Sequence, residues 1–242
     1  MICSKCKKEH EAEAPCRLID LTRSGVTMDL ADVPLVFFDV ETTGLHPHRS
    51  DRIVEISLMK VLGGEIVETF ETLVDPQRQI PPAATAVNGI DMWKVMGKPP
   101  FEEILDGIKR VMTDQCVVVG HNIDFDLRFF NWETARAGRE REQWMGLSFC
   151  TLLLSKKLYK FENNKLGNVA QKLGVAAPEA HRAGADVATT IGVFDVMCER
   201  IRPKETPLTV KHVLQAQGGY VPSPLAGAPA PVPQRGAGGR FR

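Results

Sequence analysis

The chain has 242 residues, 43% of them hydrophobic, which is ordinary for a soluble globular protein and enough for one sizeable core. Lys and Arg number 30, as do Asp and Glu, so no global positive field exists with which to coat a nucleic acid, and a duplex-wrapping binder is disfavoured. An enzyme that grips one strand end is not, because bound divalent ions supply positive charge locally.

Residues 1–30 are polar, lack periodicity and form an N-terminal extension. Lys5, Lys7 and Lys8 are followed by no apolar run, and no stretch of about 18 apolar residues occurs, so the expectation is a cytoplasmic protein with no membrane partner. Cys3-x-x-Cys6, with His10 and Cys16 following, offers four ligands for one structural zinc. The His10 to Cys16 interval does not match a zinc knuckle cleanly, and a reduced terminus with ordinary thiols is the alternative reading. Cys116, Cys150 and Cys198 lie in apolar segments and read as buried thiols rather than a disulfide framework.

At Pro34 the sequence turns sharply apolar. Leu35 to Val40, rich in β-branched and aromatic residues and ended by Thr42-Thr43-Gly44, reads as a largely buried central strand. Ile53 to Leu62 and Ile66 to Val74 flank Gly63-Gly64, a dipeptide suited to a hairpin turn. Pro99-Pro100 halts the chain, after which Phe101, Ile104, Leu105, Ile108 and Val111 recur at helical spacing ahead of a strand at Cys116 to Val119. Further helices are predicted from about Asp124 to Ala137, over Thr151 to Leu158, over Leu166 to Leu173 and over Gly184 to Glu199. Strands come first and helices dominate later, which predicts an α/β fold with a mixed β-sheet flanked by helices. The main domain is expected over residues 31–202, followed by a C-terminal extension with helical potential at 203–220. A disordered tail rich in Pro, Gly and Ala is expected at 221–242.

Residues two apart on a strand share a face, so Asp39 and Glu41 are aimed together while Val40 points away. Neighbouring desolvated carboxylates repel unless a cation neutralises them, which suggests a divalent metal; emergence of both acids into solvent is the alternative. His121-Asn122-Ile123-Asp124-Phe125-Asp126 follows the next strand and opens a helix. Asp126 is therefore either a third ligand or a favourable charge in the first helical turn, and Asp124 is the expected N-cap. In His181-Arg-Ala-Gly-Ala-Asp186 a histidine precedes a helix that fixes an acid five residues on. Asp186 is the fourth candidate ligand, and His181 is either a base that meets a water or a structural histidine.

Three segments, Val36-Phe-Phe-Asp-Val-Glu-Thr-Thr-Gly-Leu45, His121-Asn-x-x-Phe-Asp126 and His181-x-Ala-x-x-Asp186, resemble in order and spacing the motifs of the DEDDh exonucleases. That group includes the proofreading epsilon subunit of bacterial DNA polymerase III. The likeness covers residues 34–200, including Val87-Asn-Gly-Ile90, Cys150-Thr151 at a strand-to-helix junction and Lys165-Leu-Gly before a helix. It implies an RNase H-like sheet and a 3′–5′ exonuclease that uses two Mg²⁺ or Mn²⁺ ions to release nucleoside 5′-monophosphates. By the same resemblance Asp39 bridges both ions, Glu41 and Asp186 help hold the first, Asp126 serves the second, and His181 is the general base. Thr42, Thr43, Gly44 and Leu45 would form the floor for the terminal nucleotide, with Leu45 on the base, Phe125 near the ribose and Asn122 among the substrate contacts. Core packing is the equal alternative for Phe125.

The expected partner is a single-stranded or frayed 3′ end of a nucleic acid, DNA first and RNA as the alternative, since no residue reveals whether a 2′-hydroxyl is accepted. The resemblance also implies a DNA polymerase or repair partner. The extension ahead of the catalytic strand departs from the polymerase subunit, so a freestanding exonuclease in repair or turnover is an equal expectation. A non-catalytic nucleic-acid- or partner-binding module is the reading from another class; clustered carboxylates oppose it, because without metal they gain nothing in binding phosphate.

Overall fold

The structure, a computed structural model, describes residues 27–219 apart from 114, 145 and 178–181. The zinc quartet Cys3, Cys6, His10 and Cys16, the tail from 221 and the expected base His181 thus lie outside the described residues.

Five strands form one sheet: β1 (Leu35–Thr42), β2 (Ile53–Leu62), β3 (Glu65–Leu73), β4 (Val117–Gly120) and β5 (Ser148–Cys150), in the order β3-β2-β1-β4-β5. β1, β2 and β3 pair antiparallel, whereas β4 and β5 run parallel to β1, so the sheet is mixed. The hairpin turn at Gly63 and Gly64 takes φ of 61° and 85°, a backbone that glycine adopts without a Cβ penalty. Helices α1 (Pro82–Asn88), α2 (Met92–Val95) and α3 (Phe101–Val111) precede β4; α4 (Ile123–Arg136) links β4 to β5. α5 (Thr151–Leu158), α6 (Leu166–Leu173), α7 (Ala183–Ile201) and α8 (Val210–Ala216) follow.

The alternation of side chains along β1 builds two cores. Val36, Phe38 and Val40 join Ile104, Leu105 and Phe130 of α3 and α4 on one face. Leu35 and Phe37 join Val193, Phe194 and Val213 of α7 and α8 on the other. Phe37 meets Phe194 edge to face at 5.6 Å, and Phe38 meets Phe130 likewise at 6.0 Å. Each buried Phe, Leu or Val contributes about 1.5–3 kcal/mol, so these five strand residues tie both helical layers to β1.

The segment after α7 belongs to this core. Leu208, Val210 and Val213 are buried, Leu30 N–H donates to the Leu208 carbonyl at 2.8 Å, and Gln217 accepts from Cys150 N–H at 3.1 Å. Cys116, Cys150 and Cys198 are buried free thiols, as the sequence suggested. No helix among the described residues is long and apolar enough to cross a membrane.

One expectation is corrected. Asp124 is not the N-cap of α4: the cap is Asn122, held in a left-handed conformation at φ 69°, and Asp124 is already inside the first turn with a buried Oδ1 that has no hydrogen-bond partner. β4 runs to Gly120, and the left-handed residue turns the chain into the helix two residues earlier than a side-chain cap at Asp124 would.

Candidate active site

β1 overruns its parallel neighbour, pairing with β4 only over Leu35 to Phe37. On the overhang, Asp39 and Glu41 follow Phe37 on the face covered by α7, and the first turn of α7 carries Asp186. Carboxylate oxygens of Asp39, Glu41 and Asp186 lie within 4.8 Å of one another. Asp126 comes from the opposite layer. Its Oδ1 accepts from Val40 N–H at 3.2 Å, an amide that lies beyond the last pair between β1 and β4. The sequence-predicted acids therefore converge on the end of one strand from three elements.

Packing these groups together is electrostatically unfavourable. Burial holds the Asp39 carboxyl well above its usual range, and Asp126, Asp186, Glu41 and Glu55 push in the same direction. Glu41 is raised to about 7, first by burial and then by Asp186 and Glu55; a hydrogen bond from Asn88 and the charge of Arg182 oppose the rise. Asp126 is also raised by burial, against the opposing bond from Val40 N–H. Hard, charge-dense oxygen donors crowded in this way suit a divalent cation.

Beside the acids opens a cleft of about 430 Å³, lined by Glu41 to Leu45, by Pro81, Ala84, Val87 and Asn88 of the α1 region, and by Phe125. Leu45 is 68% exposed and projects at its mouth. Gly44 leaves room for the close approach of Asp51: a Cβ there would stand 2.3 Å from the Asp51 carboxylate, which would have to shift. Thr42 Oγ1 donates to the Gly44 carbonyl at 2.6 Å. Thr43 is buried, with its hydroxyl donating to Asp51 at 3.3 Å and accepting from Arg52 N–H at 3.0 Å. Both hydroxyls thus brace the loop. Phe125 lines the cleft and packs on Phe129 at 4.9 Å. Asn122 lines a different cleft, on the far side of the α4 start.

A model of the family described as exonuclease matches residues 36–194. The chain belongs to the exonuclease family. The exonuclease domain is 35% identical over 164 residues to a PolC-type DNA polymerase III of Thermotoga maritima, covering 67% of this chain and 12% of that protein. It is 31% identical to the 3′-5′ exonuclease DinG of Bacillus subtilis, covering 74% of this chain and 19% of that one. This chain therefore spans under a fifth of the length of these two curated relatives. With the DNA polymerase III subunit epsilon of Aquifex aeolicus it shares 30% identity over 72% of this chain and 84% of that protein. Among solved structures, exonuclease X in complex with a 5′ overhanging duplex DNA superposes with a TM-score of 0.58 at 23% identity, covering 76% of this chain and 99% of that one. The fold is the RNase H-like one that the motifs implied.

Sequence reasoning missed two buried or part-buried residues that brace this edge of the exonuclease domain, of which Glu55 stands against the acids. Glu55 on β2 faces Glu41 across the strand pair and is 1% exposed. It accepts from Arg182 Nη2 at 2.7 Å, from Arg182 Nε at 3.2 Å and from Ala183 N–H at 3.0 Å. The ion pair anchors the start of α7, and hence Asp186, to the sheet. A glutamate inside the otherwise apolar Ile53-Val-Glu-Ile-Ser-Leu58 was the available signal, since a buried carboxylate demands a partner. His121, quoted only as part of a motif, is held between Thr151 Oγ1 and the Asn164 carbonyl, each at 2.8 Å, and burial lowers its pKa.

Proposed function

We propose that this chain is a metal-dependent 3′–5′ exonuclease that hydrolyses the terminal phosphodiester of a DNA strand and releases nucleoside 5′-monophosphates. The convergence of Asp39, Glu41 and Asp186 oxygens within 4.8 Å carries the reading. Asp39, Glu41 and Asp186 would hold one divalent ion, and Asp126 beside Asp39 would help hold a second. A pair of such ions supplies Lewis-acid stabilisation to both the attacking and the leaving oxygen of an in-line displacement. His181, five residues before Asp186 and next to the anchored Arg182, accepts the proton of the attacking water. The terminal nucleotide enters the cleft beside Glu41, with its base against Leu45 and its ribose near Phe125 and the Thr42–Gly44 backbone.

DNA as substrate is supported by the similarity to the epsilon subunit, to DinG and to the DNA-bound exonuclease X. The polymerase relatives make association with a DNA polymerase the reading for its setting. The test is digestion of DNA and RNA oligonucleotides of one sequence, labelled at either end, in Mg²⁺, Mn²⁺ and chelator. Mononucleotide release from the 3′ end of DNA, lost in chelator and in Asp39→Ala, is expected. Metal-independent cleavage, 5′ polarity or full activity in Asp39→Ala would overturn the proposal, and faster loss of RNA would assign the alternative substrate.

A further inference from the structure

β1, β4 and β5 are parallel, so their C-terminal ends share one edge of the sheet. In α/β sheets that edge is where ligands bind. Following it from β1, the edge presents the acids, then the β4–α4 loop with His121 and Asn122, then α5 after β5. At about 4.8 Å per strand the far side lies roughly 10 Å from β1. There a second cleft of about 520 Å³ opens, walled by Leu152 and Leu166 and flanked by Lys156 and Lys165.

We infer that this cleft is a phosphate track for the nucleotides preceding the terminal one, with Lys156 and Lys165 as its cations. The inference rests on the exonuclease reading of the acid site. Both lysines are exposed, and among the described residues neither forms an ion pair, whereas Arg52, Arg78, Arg136, Arg139, Arg182 and Arg202 all do. The cleft is also built, not merely charged. His121 ties the β4–α4 loop to Thr151 on α5 and to the Asn164 carbonyl, and Ser155 bonds the Asn164 side chain. Lys165 N–H donates to Asn163 Oδ1 at 3.2 Å, and Asn168 donates to the Asn163 carbonyl at 2.7 Å, so the loop bearing Lys165 is held at both ends. Asn122, exposed at the lip, offers an amide for a phosphate oxygen. Three residues on, Phe125 lines the first cleft, so the first turn of α4 borders both. The occupant is single-stranded nucleic acid. A strand with its 3′ end at the acids crosses this edge and meets positive charge where its backbone leaves the terminal cleft, on a protein whose overall charge is balanced.

The experiment compares the full chain with Lys156→Ala/Lys165→Ala and with a matched double charge removal outside the cleft, Lys172→Ala/Lys211→Ala. Fluorescence anisotropy of a 5′-labelled oligothymidylate is measured in chelator across a salt series. Each phosphate contact on a single strand contributes about 0.7 to the slope of log affinity against log salt. The track variant should therefore lose about 1.4 from the slope and about tenfold in affinity at moderate salt, while the matched control keeps the wild-type slope. An unchanged slope in the track variant, or an equal loss in both, overturns the inference. Hydrolysis of an aryl ester of thymidine 5′-monophosphate by the unmodified chain in Mn²⁺ reads the acid site separately, because that substrate has no upstream phosphate. Failure there removes the catalytic reading and leaves the anisotropy result to decide the track.

Discussion

Replacing Glu41 with Gln in the metal-free protein should stabilise it at alkaline pH and not at acid pH. The folded Glu41 carboxyl is raised from 4.5 to about 7, by burial first and by Asp186 and Glu55 next. Folded protein therefore binds the proton more tightly than unfolded chain, and stability falls as pH rises from about 4.5 to about 7. At 1.36 kcal/mol per tenfold in proton affinity the full effect is about 3 kcal/mol, and partial exposure of the side chain reduces it to about 2 kcal/mol between pH 5 and pH 8. Glutamine mimics the protonated acid and removes that loss. For a domain of this size about 2 kcal/mol corresponds to a rise of about 4–8 °C in Tm. Thermal unfolding in chelator at pH 5 and pH 8 measures it: near-equal Tm values at pH 5, and a more stable variant at pH 8. Adding Mn²⁺ at pH 8 should raise the wild type and close the gap, because a bound cation relieves the same repulsion. A Glu41→Gln Tm at or below wild type at pH 8 in chelator would refute the claim that the site is a crowded, unneutralised set of acids.

Glu55→Gln keeps one acceptor oxygen where the carboxylate held both Arg182 and Ala183 N–H; it should cost about 1–3 kcal/mol in urea unfolding and raise the metal concentration needed for half-maximal turnover, because α7 holds Asp186 less firmly. A loss of stability with unchanged metal dependence would show that the pair only holds the fold. Gly44→Ala should cost about 1–3 kcal/mol and raise KM for the oligonucleotide, since the new methyl displaces Asp51 from Thr43 and His46; wild-type KM with intact stability would contradict the close approach. His181→Ala should slow turnover about 10²–10⁴-fold without changing metal binding measured by calorimetry, and a rate equal to wild type would demote it.

Much of the site was legible because its residues sit on elements that write strong periodic signals. β1 announces itself by a short apolar run, and strand alternation alone aims Asp39 and Glu41 to one side. α3, α5 and α6 follow the apolar spacing and fall where it placed them. The wall of the terminal cleft was less legible: α1 and α2 are seven and four residues long, too short for periodicity to emerge, and α1 starts at Pro82 without a side-chain cap. β5 is three residues long, and only its junction with α5 at Cys150-Thr151 was anticipated. Asp124 misled because an acid near a helix start resembles a cap, whereas a left-handed asparagine, which no spacing rule flags, begins the turn. Glu55 was passed over because its strand was scanned for apolar content, and the partner that explains it lies 127 residues away.

The bridge between Asp29 and Thr209, with Leu30 donating to Leu208 and Val210 to Met28, sets the segment ahead of β1 beside the segment ahead of α8 at the start of β1. Asp39 and Glu41 stand toward the other end of that strand, roughly 13 and 20 Å along it at about 3.3 Å per residue. The bridge therefore braces β1 from the end away from the acids and leaves the edge that carries the terminal cleft clear of both bridged segments.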